Sequence, residues 1–174
     1  MAESLMEKRM GGQKKISVGI GYDVHKLVAG RDLWLGGIKI SHSKGLLGHS
    51  DGDVVLHAVG DAILGALGEG EIGIMFPPDN PKIKGIASKE IIAAIMDKVA
   101  QKKAQISHVD INVLAEEPKL KPHYGAIKTS LASLLGLPEQ SINVKAKTHE
   151  GLDSIGEGKA MACQAVASVL MPLP

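Results

Sequence analysis

Three residues in the first third of the chain have side chains suited to binding a metal ion. Asp23 and His25 leave a predicted strand as Asp-Val-His, and residues two apart in a strand point to the same side. His57 lies on the next predicted helix. One carboxylate and two imidazoles leave the fourth position of a tetrahedral ion free, which is typical of a catalytic zinc site. The spacing alone equally allows His57 to be an ordinary polar residue of a helix.

Acidic residues are dense around the same helix. Asp53 and Asp61 each lie four residues from His57, so either could accept the second ring proton of His57 and fix its tautomer. The segment 48–52, Gly-His-Ser-Asp-Gly, precedes the helix, where free backbone amides and the helix dipole favour an anion. A phosphate held there would lie close to a metal bound by His57. An ordinary helix cap explains this segment equally well.

Two later segments carry groups that suit a phosphorylated nucleotide. Segment 145–150, Lys-Ala-Lys-Thr-His-Glu, ends a predicted strand with cations, a hydroxyl and a carboxylate, which could hold a diphosphate and a hard metal ion. Segment 115–121, Ala-Glu-Glu-Pro-Lys-Leu-Lys, follows another predicted strand, and its exposed amides could bind the edge of a base. A solvated strand end and a plain connecting loop are the respective alternatives.

The composition excludes several classes of protein. The 174 residues, 44% hydrophobic and 22% charged, predict an ordered chain rather than a disordered one. The 20 basic and 19 acidic residues are spread along the chain and only four residues are aromatic, so we expect no nucleic-acid and no membrane partner. No apolar run reaches the about 18 residues of a spanning helix. The single cysteine, Cys163, favours a reducing compartment and would be inert if buried.

The hydrophobic pattern predicts the elements that would position these residues. Strands are expected at 16–22, 33–40, 108–115 and 141–147, the second with a bulge at its Gly-Gly pair. Helices are expected after a capping box at Ser50 and Asp53, at 88–103, from Pro122 and at 158–171. This order predicts an α+β fold in which a mixed sheet carries helices on one face. Oligomerisation through the sheet is the economical way to bury the other face.

Residues 1–15 are polar and precede the first folding signal. We interpret them as a disordered N-terminal extension: a frayed end, a cloning remnant or the remnant of a transit peptide. Residues 16–174 show no repeat and no break in composition, so they are expected to form a single domain. The expected location is the cytoplasm of a bacterium, or a plastid-type organelle if the extension is a transit remnant.

Three motifs follow one another along the chain: Gly-Tyr-Asp-Val-His at 21–25, Leu-Leu-Gly-His-Ser-Asp-Gly-Asp at 46–53 with His57, and Lys-Ala-Lys-Thr-His-Glu at 145–150. They resemble those of the 2-C-methyl-D-erythritol 2,4-cyclodiphosphate synthase family of the non-mevalonate isoprenoid pathway. The resemblance implies a phosphorus–oxygen lyase that cyclises 4-diphosphocytidyl-2-C-methyl-D-erythritol 2-phosphate and releases CMP. It also implies a homotrimer whose sheets form a central prism, with active sites between neighbouring subunits.

The resemblance further implies a role for each matching residue. Asp23, His25 and His57 would bind Zn²⁺, and Glu150 would bind a Mg²⁺ or Mn²⁺ ion that bridges the substrate diphosphate. His49 would act on the 2-phosphate, and Thr148 would support the transition state from the neighbouring subunit. The implied substrate-binding residues are Ser50, Glu71, Gly73, Ala115, Pro118, Lys119, Leu120, Lys147 and His149.

Several positions depart from the commonest bacterial pattern of this family. Glu71 stands where Asp is usual, and the loop 76–80 is Phe-Pro-Pro-Asp-Asn in place of Phe-Pro-Asp-Thr-Asp, so its substrate contacts are not assigned. Segment 153–157 lacks a phosphate-binding arginine and resembles plastid-type members. Two other functions are hypotheses: a zinc-dependent phosphohydrolase with water in the fourth position, and a non-catalytic trimer that binds a nucleotide or an isoprenoid phosphate.

Overall fold

A computed structural model describes residues 13–77 and 85–173, so most of the predicted extension and residues 78–80 of the loop lie outside it. The strands are β1 Lys14–Ala29, β2 Leu33–Leu35, β3 Ile38–Ile40, β4 Lys44–Leu47, β5 Gln105–Leu114, β6 Ile142–Lys147 and β7 Ala160–Pro172. The α-helices are α1 Val54–Leu67, α2 Ile72–Met75, α3 Ser88–Gln101, α4 Tyr124–Leu135 and α5 Asp153–Gly156. Within the two described ranges, no helix is long and apolar enough to cross a membrane.

Five of the strands form one mixed sheet in the order β4-β1-β7-β5-β6. Only β5 and β6 pair in parallel, and the other neighbours pair antiparallel. Helix α1 packs on β1 and β7, and α3 and α4 extend this layer over β5 and β6. The buried aliphatic side chains between sheet and helices form one continuous core. The predicted mixed sheet with helices on one face is therefore confirmed.

The central strand β7 is the largest departure from the sequence-based expectation. The predicted helix at 158–171 is wrong, because residues 160–172 pair with β1 on one side and β5 on the other. Alanine favours a helix in isolation, but two ladders of backbone hydrogen bonds and a buried position outweigh that preference. The helix-facing side of β7 carries small residues: Cys163, Ala165 and Ala167. Burial raises the pKa of the Cys163 thiol, which agrees with an inert cysteine.

Shorter elements also differ from the expectation. Gly36 and Gly37 form the turn of a β2–β3 hairpin rather than a bulge, since both have the positive φ (62° and 78°) that a tight two-residue turn requires. The strand Lys44–Leu47 was not predicted, because its four residues show no clear alternation. The predicted strands β5 and β6 and the helices α3 and α4 are confirmed to within a few residues.

Two glycines allow α1 to lie directly on β1. Gly19 and Gly21 face the helix, and a Cβ at either position would overlap a carbonyl oxygen of α1, that of Ala62 and Ala58 respectively. A backbone atom cannot rotate away from such a contact as a side chain can. The pair of glycines therefore sets how closely the helix approaches the strand.

We expect Gly21→Ala to lower the free energy of unfolding by about 1–3 kcal/mol or more, as overpacking of a rigid contact does. Urea unfolding measures this change. Gly125→Ala in α4 is the matched control, because no atom lies within 4 Å of a Cβ at that position. Its effect should be neutral or stabilising by about 0.5–1 kcal/mol, since alanine is the better helix former. Equal stability of the two variants would contradict the close approach of α1.

The sheet face opposite the helices is apolar along β1. Every second side chain of this strand points outward and exposes 47% to 73% of its surface: Ile16, Val18, Ile20, Tyr22 and Val24. Val166 of β7 extends the patch and is 41% exposed. A contiguous apolar patch of this kind marks a contact surface more often than a free one.

Candidate metal centre and active site

Strand β1 and helix α1 bring the three predicted metal ligands together. β1 continues to Ala29, so Asp23 and His25 lie within the strand rather than beyond its end. His57 lies in the first turn of α1. Asp23 Oδ2 lies 2.8 Å from His57 Nδ1 and 2.9 Å from His25 Nε2, and the two ring nitrogens are 3.2 Å apart. One atom of each side chain therefore converges on a common point.

The converging atoms fit a tetrahedral zinc ion. Two imidazole nitrogens and a carboxylate oxygen are ligands that zinc prefers, and bonds of about 2.0–2.1 Å place tetrahedral ligands about 3.3 Å apart. The 3.2 Å separation of the ring nitrogens agrees with this value. All three ligand atoms lie within 4.8 Å of one another, on side chains that are half-buried. The predicted set of Asp23, His25 and His57 is thus confirmed as a group that could hold a metal ion.

The charges in this group favour an ionised Asp23 and a protonated His57 when no cation is bound. Burial raises the pKa of Asp23, but hydrogen bonds with His25 and His57 outweigh it, so the pKa lies well below its ordinary value. Burial lowers the pKa of His57, but the hydrogen bond and charge of Asp23, together with the charges of Asp53 and Asp51, raise the pKa above its ordinary value. A metal ion must therefore displace a proton from the His57 ring.

We expect rising pH to lower the stability of the metal-free protein and to increase the stabilisation that zinc adds. Folding raises the pKa of His57, so its contribution is fully present below the unfolded value of 6.5 and is lost as pH rises through the folded value. As pH rises above 6.5 and through the raised pKa of His57, the metal-free protein should lose this contribution, whereas stabilisation by zinc should grow as the competing proton leaves. Thermal unfolding with EDTA or with zinc measures both trends. His57→Gln should remove both, and a zinc effect independent of pH would contradict them.

The second ring nitrogen of His57 contacts two serine hydroxyls. Nε2 lies 3.1 Å from Ser50 Oγ and 3.0 Å from Ser88 Oγ. Ser88 begins α3 and is fully buried. Its hydroxyl lies 2.5 Å from Asp51 Oδ1, and its amide donates to Asp51 Oδ2 at 3.0 Å. Ser88 was not predicted as a site residue, because its only sequence signal is its place at the start of a helix.

The two aspartates predicted to contact His57 bind backbone amides instead. Asp53 is fully buried and caps α1, and its carboxylate also accepts the amides of the Gly36–Gly37 turn at 2.8 and 2.6 Å. Asp61 accepts the amide of Ile72 at 2.8 Å. The prediction that Asp53 or Asp61 fixes the tautomer of His57 is therefore corrected. Asp53 ties the β2–β3 turn to the helix, and Asp61 holds the start of α2.

A cavity of about 210 Å³ lies beside the metal ligands. Its lining consists of His25, His49, Ser50, His57, Ile72, Gly73, Phe76, Ile86 and Ile91. The structure thus brings three predicted contact residues, His49, Ser50 and Gly73, to the metal ligands. Ser50 lies three residues before the cap of α1, so it does not cap the helix as predicted. Glu71 is exposed at the N-terminal end of α2.

The predicted base-binding segment lines a second cavity of about 140 Å³. The segment that follows β5 and the end of β6 form it together: Ala115, Glu116, Pro118, Lys119, Leu120, Lys121, Tyr124, Ala146, Lys147 and Thr148. The backbone connects the two segments, because the amide of Ala115 donates to the carbonyl of Lys147 at 3.0 Å. Segment 115–121 is therefore one wall of a pocket that also includes the predicted phosphate-binding strand end.

The two cavities lie toward opposite edges of the sheet, one near β1 and the other near β6. Backbone pairing aligns Asp23 of β1 with Cys163 of β7. Cys163 aligns with Val113 of β5, and Val113 with Ala146 of β6. Three strand spacings of about 4.8 Å place Asp23 about 14 Å from Ala146. Within one chain, the metal ligands and the end of β6 therefore do not meet at one site.

The loop after β6 is held by its own side chains. Thr148 Oγ1 donates to Glu150 Oε1 at 3.1 Å, and His149 Nδ1 lies 2.9 Å from Asp153 Oδ2. Glu150 and Asp153 have positive φ values of 52° and 57°, which side-chain-bearing residues adopt at a cost in energy. The hydroxyl of Thr148, the imidazole of His149 and the carboxylate of Glu150, predicted respectively as catalytic, substrate-binding and metal-binding groups, thus lie together in the loop that follows the edge strand β6.

Comparison with known proteins agrees with the family that the three motifs indicate. The sequence model of the YgbB family matches residues 16–170, which include all three motifs. The chain belongs to the YgbB family. The resemblance inferred from the motifs is confirmed, since a relative from Gloeobacter violaceus that is 48% identical is named 2-C-methyl-D-erythritol 2,4-cyclodiphosphate synthase. The match covers 89% of this chain and 95% of that protein.

Two further relatives differ in how much of their length this chain covers. The bifunctional enzyme IspD/IspF of Sphingopyxis alaskensis is 48% identical over 91% of this chain, but the chain spans only 40% of it. The solved structure of IspF from Plasmodium falciparum, a CDP complex, is 37% identical with a TM-score of 0.80. That match covers 94% of this chain and 100% of the solved one. The chain thus corresponds to the whole of one relative and to part of the other.

Proposed function

We propose that the chain converts 4-diphosphocytidyl-2-C-methyl-D-erythritol 2-phosphate to 2-C-methyl-D-erythritol 2,4-cyclodiphosphate and CMP, in isoprenoid precursor biosynthesis. The convergence of Asp23, His25 and His57 beside a cavity carries this proposal, because such a group suits a Lewis-acid metal next to a bound phosphate. The family and the printed names of its relatives support the choice of substrate. The cytoplasmic or plastid-type location stays a prediction.

We propose that three copies assemble through the open sheet face and that each active site is shared by two of them. The exposed apolar residues of β1 support this assembly. The position of the metal ligands and Thr148 toward opposite edges of one sheet also supports a shared site. A cyclic arrangement brings one side of each chain to the other side of the next. The metal half of the site, formed by Asp23, His25, His57 and the first cavity, would then face the second cavity and the loop after β6 of the neighbouring subunit.

The metal half would hold the reacting phosphates. Asp23, His25 and His57 would bind zinc. His49 and Ser50 line the same cavity and would contact the 2-phosphate, offsetting the repulsion between two anionic groups. Glu71 and Gly73 would contact the hydroxyl groups of the methylerythritol unit. The apolar part of the cavity suits the carbon skeleton of that unit.

The neighbouring half would hold the nucleotide. The cavity lined by Ala115, Pro118, Lys119 and Leu120 would take the cytosine, largely through backbone groups. Lys147 and His149 would contact the diphosphate. Glu150 would bind Mg²⁺ or Mn²⁺, and the hydroxyl of Thr148 would support the transition state.

The reaction then depends mainly on proximity and charge neutralisation. A 2-phosphate oxygen forms a bond to the β-phosphorus, while the bond from that phosphorus to the oxygen it shares with the α-phosphorus breaks. The electron pair of the broken bond leaves with CMP. When bound, zinc supplies a Lewis acid for a phosphate oxygen, and the second cation neutralises charge on the α- and β-phosphates. An apolar cavity wall disfavours water, which would open the substrate instead of cyclising it.

Phosphorus NMR of the protein with this substrate, zinc and magnesium tests the proposal. We expect a cyclic diphosphate that accumulates one-for-one with CMP. Linear phosphates without a cyclic product would show a hydrolase. Saturable CMP binding without turnover in the metal-loaded protein would show a binding protein. Either of these last two outcomes would overturn the proposed reaction.

Mixing two inactive variants tests the shared site. His57→Ala removes the metal half of a site and Thr148→Ala the neighbouring half, so each should be nearly inactive alone. When the two chains are refolded together in equal amounts, about a quarter of the sites in randomly mixed trimers combine two intact halves. We therefore expect about a quarter of wild-type activity. No recovery in trimers shown by mass spectrometry to be mixed would indicate a site within one chain.

A further inference from the structure

The contacts of Ser88 impose a direction on the hydrogen bonds around His57. An ionised carboxylate can only accept, and the hydroxyl of Ser88 lies 2.5 Å from Asp51 Oδ1. The hydroxyl proton of Ser88 therefore points to Asp51. Only lone pairs of the oxygen remain for His57 Nε2, which lies 3.0 Å away. Nε2 must then carry a proton and donate it.

Neighbouring groups fix Asp51 and Ser88 in this arrangement. The amide of Ser88 donates to Asp51 Oδ2 at 3.0 Å, and the amide of Asp53 donates to Asp51 Oδ1 at 3.2 Å. Each oxygen of Asp51 thus faces backbone donors, which keeps the carboxylate as an acceptor. Ser88 is fully buried at the start of α3, so no water competes for its hydroxyl. Ser50, the other hydroxyl near Nε2, accepts the amide of Gly52 at 3.1 Å and faces the cavity.

We propose that Ser88 and Asp51 act as positioning residues that hold His57 in the tautomer protonated at Nε2, leaving Nδ1 free to bind the metal. This inference rests on the metal site and not on the identity of the substrate. A metal-binding histidine usually donates its other ring N–H directly to a carboxylate, a backbone carbonyl or a water molecule. Here a serine transmits the effect of the carboxylate, and it links the start of α3 to the metal ligands.

Long-range proton–nitrogen NMR of the wild-type protein with ¹⁵N-labelled histidine tests the tautomer directly. In the zinc-loaded protein we expect His57 to be protonated at Nε2 and metal-bound at Nδ1. Nε2 without a proton would overturn the proposal, and so would zinc-loaded protein in which His57 is not a ligand. The measurement needs no substrate, so failure of the proposed reaction would not affect it.

Zinc affinity of Ser88→Ala tests the contribution of the serine. Competition with a chromogenic chelator should show a loss of about 10- to 100-fold, as removal of such hydrogen-bonding partners produces. Ser17→Ala is the matched control, because the Ser17 hydroxyl donates to the carbonyl of Ala66 at 2.6 Å and has no contact with the site. Asp51→Asn should weaken zinc binding as Ser88→Ala does. Affinity of folded Ser88→Ala within about twofold of wild type would contradict the proposal.

Discussion

His57→Ala is expected to abolish turnover while leaving a folded assembly. The variant loses one of three metal ligands and the hydrogen bond of 2.8 Å with Asp23. Lewis-acid stabilisation of a phosphoryl transfer contributes several kcal/mol, so activity should fall by about a thousandfold or more. Phosphorus NMR measures the turnover, and metal analysis of the purified protein should show that zinc is lost with it.

A second histidine variant separates this effect from the loss of any imidazole. His123 precedes α4 and makes no side-chain capping bond, so His123→Ala should retain both zinc and turnover. Circular dichroism and size-exclusion chromatography should show that both variants keep the fold and the assembly. Normal turnover in folded His57→Ala would remove zinc from the mechanism as proposed.

Ile20→Lys is expected to dissociate the assembly and abolish activity with it. Ile20 is 73% exposed in the single chain and lies in the middle of the apolar row on β1. If this face is the interface, each subunit loses about 1.5–3 kcal/mol of apolar burial and must also bury an unpaired charge. A trimer would contain the substitution three times, so the penalties would add. Analytical ultracentrifugation should show monomers, and phosphorus NMR no product.

Ala126→Lys is the matched control for the added charge. Ala126 is exposed on α4, in the helical layer on the other side of the sheet. This variant should assemble and turn over as wild type does. If Ile20→Lys also stays trimeric, the apolar row on β1 is not the interface. Loss of activity in trimeric Ile20→Lys would place its effect within the site and not in assembly.

The metal ligands could be predicted from sequence because their grouping depends on local geometry. Asp23 and His25 share a side through the two-residue period of a strand, and His57 is in the first turn of a helix that lies against it. The sequence does not show that Gly19 and Gly21 let this helix come close enough for contact. That depends on a match between two segments about forty residues apart, which a local pattern does not contain.

The sequence-based predictions were wrong where contacts with distant segments outweigh the local conformational preference. β7 resembles a helix in composition and becomes a strand because β1 and β5 pair with it on both sides. The two aspartates predicted to bind His57 share its helical face. The amides of Gly36 and Gly37 instead donate to Asp53, and the amide of Ile72 donates to Asp61. Helical spacing shows which side chains are near one another and not which other groups bind them.

The position of β7 at the centre of the sheet has a consequence for synthesis of the chain. β1 is translated about 130 residues before its partner β7, which follows the other described strands in chain order. At about 5–20 residues per second, about 7–30 s pass on the ribosome between the two strands. During this interval β1 lacks its central partner strand, and its outward-facing apolar side chains are exposed. Chaperone binding to nascent chains should therefore concentrate on this period, and end once β7 has left the ribosome.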